Sequence, residues 1–184
     1  MVIYICGVPR SGKTSLARLL NLNLENSSLI VSEAVRNAFQ KIDEKNATEW
    51  GSKSSAMRKQ VFPAFIKEFA EWNSKFSQGN IILDCALIDI ATIYSMAGKS
   101  DKIICLGFDG KSKEEIFSLI REKESSTDYT HNLSNEKLTS LWGEVDEIDS
   151  FNKSFCLANG IDYYDTSKDR ESVLNKIINN IKNG

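Results

Sequence analysis

The sequence predicts an α/β fold built on a parallel sheet, and three observations carry that prediction. Short β-rich apolar runs alternate with longer stretches of helical periodicity along the whole chain, the pattern of strands wrapped by helices. The first run, residues 2–6 (VIYIC), is apolar almost throughout, as suits a central strand buried on both faces. It leads directly into GVPRSGKT at residues 7–14 and then into a helical pattern of Ser15, Leu16, Ala17, Leu19 and Leu20. Strand, glycine-bearing turn and helix in that order fit the phosphate-loop pattern G-x-x-x-x-G-K-[ST] in its proper setting.

The spacing of that loop has a chemical reason. Glycines at 7 and 12 permit backbone conformations closed to other residues, so successive N–H groups can turn inward around phosphate oxygens. The helix behind the loop aims its N-terminus, with partial positive charge, at the same anion. Lys13 adds a full charge toward the β- and γ-phosphates, and the Thr14 hydroxyl is placed to ligate Mg²⁺. Gly7, Pro9, Arg10, Ser11, Gly12, Lys13, Thr14 and Ser15 are therefore the expected binding residues for a nucleoside triphosphate, and Arg10 is also within reach of a lid carboxylate.

The elements follow in order. The first helix runs from Lys13 to about Asn23 and ends in an Asn-rich turn, and residues 28–31 form a brief second strand. A helix beginning at Ser32 or Glu33 carries Val35, Ala38, Phe39 and Ile42, and residues 43–55 are polar without a clear period. A longer amphipathic helix places Met57, Val61, Phe62, Phe65, Ile66, Phe69, Trp72 and Phe76 at helical spacing, which reads as core. Pro63 within it implies a kink or a fresh helix start. Residues 81–84 (IILD) are the third strand, 87–97 a short helix, and 102–108 the fourth strand. Ser112 and Glu115 read as a capping box opening the next helix. Residues 122–133 are polar and are expected to be mobile. A long helix from about Ser134 is expected to bury Leu138, Leu141, Trp142, Val145, Ile148, Phe151 and Phe155 on one face, and Asn159-Gly160 stops it. Residues 161–165 form the fifth strand, and a closing helix carries Val173, Leu174, Ile177, Ile178 and Ile181.

Composition bounds the functional classes. A chain of 184 residues suits one domain with a substantial core. Twenty-three basic against 25 acidic residues give a net charge of −2, which argues against nonspecific nucleic-acid or membrane binding. No apolar run has the length of a signal peptide or membrane span. The four cysteines, Cys6, Cys85, Cys105 and Cys156, are too scattered for a metal cluster and read as buried thiols, which points to the cytoplasm.

Outside the loop, Asp84 is the foremost candidate. It ends an apolar strand at the edge where open α/β sheets bind ligands, beside the metal that a phosphate loop holds. Its expected work is to hold Mg²⁺, directly or through water, or alternatively to accept the proton of an attacking hydroxyl. Asp89 reads as a helix-surface acid. Arg36, one turn into the helix after the second strand, suits an acceptor anion, with Glu33 one turn earlier as a substrate contact or a simple surface partner. Lys53, Arg58 and Lys59 read first as a solvated basic face and second as a cover over the acceptor. Arg121, ahead of the polar stretch, is a catalytic candidate for stabilising charge on the transferred group, and His131 reads as a solvated loop residue.

With these residues in place, the chain resembles the P-loop small-molecule kinases of the nucleoside monophosphate kinase type, such as adenylate kinase. The matching pieces are Gly7, Pro9, Gly12 and Lys13 of the loop, Arg36 at the acceptor phosphate, Asp84 on the third strand, and Arg121 at the entrance to the lid. Asp165, Thr166 and Ser167 resemble the turn that packs on adenine, so Thr166 and Ser167 join the nucleotide-binding candidates. The resemblance implies a three-layer P-loop NTPase fold with a five-stranded parallel sheet of order 2-3-1-4-5. It also implies one kinase domain over residues 1–184, with an acceptor-covering insert at 33–78 and a lid at 121–137. Its cofactors are ATP and Mg²⁺, its partner a small acceptor, and its assembly monomer or homodimer. Two departures bear on the acceptor. Adenylate kinase follows its third-strand Asp with Gly-Phe-Pro-Arg where this chain has Cys85, Ala86, Leu87 and Ile88, and the family's Thr-Gly is not reproduced by Ser32 and Glu33. AMP is accordingly no better an expectation than a hydroxyl-bearing metabolite, as used by gluconate and shikimate kinases.

The leading expectation is thus an ATP- and Mg²⁺-dependent kinase. A regulatory nucleotide-binding module is the alternative, but D-x-x-G and N-K-x-D are lacking: Asp84 is followed by Cys85, Ala86 and Leu87, and Asn152-Lys153 by Ser154 and Phe155. A polynucleotide 5′-kinase would call for a basic, aromatic-interleaved stripe, which this sequence lacks.

Overall fold

A computed structural model describes residues 1–109, 112–122 and 133–183. Five parallel strands, β1 (Val2–Gly7), β2 (Ser27–Val31), β3 (Asn80–Asp84), β4 (Lys102–Gly107) and β5 (Asp162–Asp165), form one sheet in the order β2-β3-β1-β4-β5. Each pairing is parallel, so every connection must cross back over a face, and helices supply the crossovers. These helices are α1 (Lys13–Asn23), α2 (Ser32–Ile42), α3 (Ala47–Gly51), α4 (Phe62–Ser77), α5 (Ile90–Met96), α6 (Lys113–Glu122), α7 (Asn135–Asn159) and α8 (Arg170–Asn183). The five-stranded sheet and its order are those the resemblance implies.

Alternation along the strands divides the core in two. Ile3, Ile5, Ile82, Ile104 and Leu106 face Leu16, Ala17 and Leu20 of α1 and Leu174, Ile177 and Ile178 of α8. Val2, Tyr4, Cys6, Ile81 and Leu83 point the other way, toward Phe62, Ile66 and Ala70 of α4, Ile90 and Ile93 of α5 and Cys156 of α7. A strand whose neighbours all point to alternate faces must be apolar at every position when both faces are covered. All four cysteines are buried free thiols, as their sequence settings suggest.

Two sequence expectations need correction. The stripe on α4 is core only on its Phe62, Ile66 and Ala70 side. Phe65, Phe69, Trp72 and Phe76 lie on a neighbouring flank, about a quarter turn round the helix, 38%, 44%, 53% and 80% exposed. Eight apolar positions in one amphipathic stretch cover more than the one side a helix can turn to a sheet, so part of the set faces out. On α7 the inward positions near the sheet are Val145, Asp149, Asn152 and Cys156, whereas Ile148 and Phe151 are exposed. Asp149 is accommodated because it accepts hydrogen bonds from the Phe108 N–H at 2.8 Å and the Tyr163 hydroxyl at 3.0 Å. Leu138, Leu141 and Trp142 have side chains outside the described set, as does His131 altogether.

Local signals explain several boundaries. Ser112 and Glu115 close the capping box, with Ser112 N–H donating to Glu115 Oε2 at 2.8 Å and Glu115 N–H to Ser112 Oγ at 3.3 Å. Pro63 stands in the first turn of α4, where its missing N–H costs nothing, and a π-helical turn at Met57–Val61 feeds into it. The unpatterned residues 43–55 hold α3, anchored by the buried Trp50, whose ring stacks on Phe39 with centroids 4.7 Å apart.

Candidate functional site

The loop between β1 and α1 sits at the C-terminal edge of the sheet, at the point where chain direction diverges to either side of β1. Its geometry is enforced from below. Gly7 has φ 125°, and a Cβ there would lie 1.9 Å from the Leu106 carbonyl oxygen. The same oxygen accepts from the Val8 N–H at 3.1 Å, so loop and β4 are stitched at closest approach. Gly12 has φ 98° and begins α1, with the Arg170 side chain packed over it. Arg10 also takes a left-handed conformation, at φ 69°. Ser11 is buried and donates to the Val8 carbonyl at 2.8 Å.

Lys13 is buried, and its ammonium donates to the same Val8 carbonyl at 2.6 Å. Burial holds its pKa below the usual lysine value, opposed by the charge of Asp84 and, more weakly, of Cys6 and Glu33. The cation is thus curled under its own loop with an acidic neighbour.

Asp84 ends β3, in register with Ile5 of β1 and Val31 of β2, and is fully buried. Its Oδ2 accepts from the Thr14 hydroxyl at 2.6 Å, while Oδ1 is buried with no hydrogen-bond partner among the described residues. A buried carboxylate oxygen left bare is costly unless something cationic completes it. Two hard oxygen donors beside a phosphate loop fit Mg²⁺, which takes one or two carboxylate or hydroxyl ligands and completes its shell from phosphate and water. Among the described residues no group of three or more His, Cys, Asp or Glu is placed to hold a metal.

Beside the loop a cavity of about 500 Å³ is lined by Cys6, Gly7 and Pro9, by Lys53, Arg58, Lys59 and Pro63, by the segment 86–90, and by Glu147, Ile148, Phe151 and Asn152 of α7. Arg58, read from sequence as solvated, is half-buried here, its Nε and Nη2 both donating to the Leu87 carbonyl at 3.3 and 3.2 Å. Burial depresses its pKa, Arg36 adds to that, and Glu33 opposes it. Glu33 is exposed and, like Arg36, is not among the residues that line the cavity. Arg36 itself bonds the Asn37 side chain, with Nη2 at 2.7 Å. Asp89, also on the cavity wall, caps α5 by accepting from Thr92 N–H at 2.9 Å. A larger hollow of about 650 Å³ opens at the opposite edge, around Lys102 and Ile103, away from the strand ends where such sheets bind ligands.

On the other side of the loop, β4 and β5 end in a laced turn. Thr166 is buried and bonds the Gly107 carbonyl twice, from N–H at 2.9 Å and Oγ1 at 3.1 Å. Asp165 Oδ1 accepts from Ser167 N–H at 2.8 Å and Asp109 N–H at 3.2 Å. Ser167 Oγ is buried without a partner among the described residues. Arg121, at the end of α6, donates from Nη2 to the Leu133 carbonyl at 2.7 Å. Most of the expected lid, residues 123–132, lies outside the described residues.

Asp149 and Tyr163 escape the sequence reading, and Arg58 enters it only through the second reading of its basic run, as part of a cover over the acceptor. Position 58 carried a signal only as one cation of a basic run. The Asp149 and Tyr163 pair shows no local pattern because its members meet across α7 and β5.

No family model matches the chain, and no curated protein matches its sequence. Solved structures do match along nearly its whole length. Shikimate kinase from Bacteroides thetaiotaomicron is similar at TM-score 0.55 and 12% identity, covering 100% of this chain and 97% of that one. The chain has the fold of the P-loop small-molecule kinases. Shikimate kinase from Aquifex aeolicus matches at TM-score 0.53 and 17% identity, covering 99% and 96% of the two chains. The tunicamycin resistance protein of Deinococcus radiodurans matches at TM-score 0.55 and 12% identity, covering 98% and 94%.

Proposed function

We propose that this protein is a kinase that moves the γ-phosphoryl group of ATP to a hydroxyl on a small-molecule acceptor, with Mg²⁺ as cofactor. The observation that carries this is the Thr14–Asp84 contact at 2.6 Å beside the buried Lys13, with Asp84 Oδ1 left bare. The amides of residues 7–14 and Lys13 would hold the β- and γ-phosphates, and Thr14 and Asp84 the metal. Bound there, Mg²⁺ supplies neutralisation of charge between the β- and γ-phosphates. The acceptor oxygen forms a bond to the γ-phosphorus as the bridging β,γ-oxygen bond breaks. ADP leaves, and the hydroxyl proton passes to a nearby carboxylate, Asp84 or Glu33. The buried, rigid loop contributes mainly by orienting the reacting oxygens and by fixed positive dipoles where negative charge develops.

The cavity beside the loop supports an acceptor site, and its walls support residues 33–78 as the acceptor-covering insert of a single domain. Glu33 would meet the acceptor hydroxyl, and Arg36 with Arg58 an anionic group on the same molecule. Arg121 and residues 121–137 are proposed as a lid contributing positive charge. Thr166 and Ser167 are proposed beside the adenine, where the two Thr166 bonds to Gly107 make the turn stiff. Four free, buried thiols suit the reducing cytoplasm. Among the described residues no helix is long and apolar enough to cross a membrane.

The test is ADP formation from ATP and Mg²⁺ across nucleoside monophosphates, sugars and hydroxy acids, with Lys13→Ala alongside. Acceptor-dependent turnover lost in Lys13→Ala is the expected result. Slow hydrolysis that no acceptor accelerates favours a regulatory module instead, and turnover unchanged in Lys13→Ala removes the proposal.

A further inference from the structure

The outward flank of α4 carries four exposed aromatic residues, and they have a pattern. Phe65, Phe69, Trp72 and Phe76 follow at intervals of four, three and four residues, the seam spacing of paired helices. They are ordered against one another: Phe65 and Phe69 stack with centroids 5.7 Å apart, as do Trp72 and Phe76 at 5.8 Å, and Phe65 meets Phe39 of α2 edge-on at 4.8 Å. At 150–250 Å² for a wholly buried aromatic side chain, the exposed part of these four comes to roughly 400 Å². That is about half of the ~800 Å² each partner contributes to a standard interface. Exposed Val61, one helical turn before Phe65, extends the apolar area at its margin.

The charges beside the seam decide the occupant. Glu68 and Lys75 are both exposed and flank the stripe on the same side, one near each end. Turning a second copy antiparallel about a two-fold axis near Ala70 sets Phe65 against the second copy's Phe76, and Phe69 against its Trp72. The same rotation sets Glu68 beside the second copy's Lys75 and, by symmetry, Lys75 beside its Glu68. A parallel arrangement would instead set Glu68 toward the second copy's Asn73 and leave it without an opposite charge. We propose that this protein is a two-fold dimer in solution, joined along α4 by this antiparallel aromatic seam, the second copy of the chain being the surface's partner. Self-complementarity is what a two-fold interface requires of a single patch. In the isolated chain Lys75 lies over the Trp72 ring, 4.8 Å from its centroid, and pairing lets it keep that contact at the rim. The Lys67–Glu71 pair at 3.9 Å stays outside the seam.

Sedimentation equilibrium with the full chain tests the proposal, with circular dichroism confirming that each variant is folded. The wild type is expected to dimerise weakly, with a dissociation constant in the micromolar range or above, as suits an area below that of a standard interface. The variant carrying Phe69→Gln and Trp72→Gln, both on the exposed face and away from the core, is expected to be a folded monomer. Glu68→Lys is expected to weaken association roughly tenfold by exchanging two attractions for two repulsions. Adding Lys75→Glu to Glu68→Lys is expected to restore it. A wild type that stays monomeric, a dimer indifferent to the Gln pair, or a charge swap without rescue would overturn the proposal. So would a monomer that co-sediments with phosphatidylserine vesicles through the same aromatics.

Discussion

Thr14 donates its hydroxyl to Asp84 Oδ2 at 2.6 Å while Oδ1 of that carboxylate lies buried and bare of partners among the described residues. Seventy residues apart in sequence, the two are joined because β3 pairs directly with β1, placing Asp84 level with Ile5 just below the loop. The arrangement favours function over stability. Asp84→Asn keeps the shape but removes a buried charge, so its Tm is expected to equal or exceed that of wild type by thermal denaturation without nucleotide. The same variant is expected to lose the Mg²⁺-dependent part of its ATP affinity, about 10–100-fold by titration with and without EDTA. A variant both less stable and equally Mg²⁺-responsive would refute the assignment.

The two loop glycines differ in what surrounds them. A Cβ at Gly7 meets a backbone carbonyl already fixed by the Val8 N–H, and nothing there can give way. Gly7→Ala is expected to cost more than about 4 kcal/mol, among the largest single-residue effects. At Gly12 the nearest atom is Arg170 Cδ at 3.0 Å, the flexible part of a side chain, so the main penalty is the positive φ. Gly12→Ala is expected to cost about 1–3 kcal/mol. Urea titrations of the two variants should separate them clearly, and equal losses would show that the Leu106 contact is not limiting.

The sheet order and the loop were legible because their signals are local: an apolar run, two glycines, a lysine and a helix start. Asp84 was legible for the same reason, standing at the end of such a run. Arg58 was not, since one cation among Lys53 and Lys59 looks solvated until its guanidinium is found on the Leu87 carbonyl. The outward aromatics of α4 were misread because a helix period shows that apolar residues share a sector of the helix, not which neighbour covers it. On α7 the periodicity pointed to Ile148 and Phe151, yet Asp149 and Asn152 turn inward, Asp149 as the acceptor for the backbone N–H that follows β4. Tertiary hydrogen bonding overrode hydrophobic pattern at those positions.

Acceptor recognition should separate cleanly from ATP recognition in the kinetics. Arg58 lines the cavity, whereas the loop amides are proposed to hold the donor. Arg58→Met keeps most of the packing volume and removes the fork. It is expected to raise the KM for the acceptor about 10–100-fold, the value of a charge-assisted contact, with the KM for ATP changed less than about threefold. Glu33→Gln is expected to lower kcat more than it changes either KM. An Arg58→Met enzyme with the acceptor KM of wild type would place the anion elsewhere.

Asp149 gives a pH dependence whose sign can be worked out. Burial raises its pKa above the ordinary carboxylate value, with Asp109 and Asp165 adding to that, while the bonds from Phe108 N–H and the Tyr163 hydroxyl oppose it. Between the unfolded pKa of about 3.9 and the raised folded value, the folded chain holds a proton that the unfolded chain has lost. Stability contributed by this group therefore falls as pH rises through that window and stays lower above it. Asn at 149 can still accept from Phe108 N–H and can donate to the Tyr163 oxygen, so Asp149→Asn removes the charge without orphaning either partner. The Tm of the variant minus that of wild type is expected to grow as pH rises from about 4 to 7, by about 2–4 °C for each kcal/mol. Paired melting curves across that range measure it. A difference that shrinks with rising pH would mean that the Asp149 charge is stabilising, through the Phe108 and Tyr163 bonds, and that burial is the lesser effect.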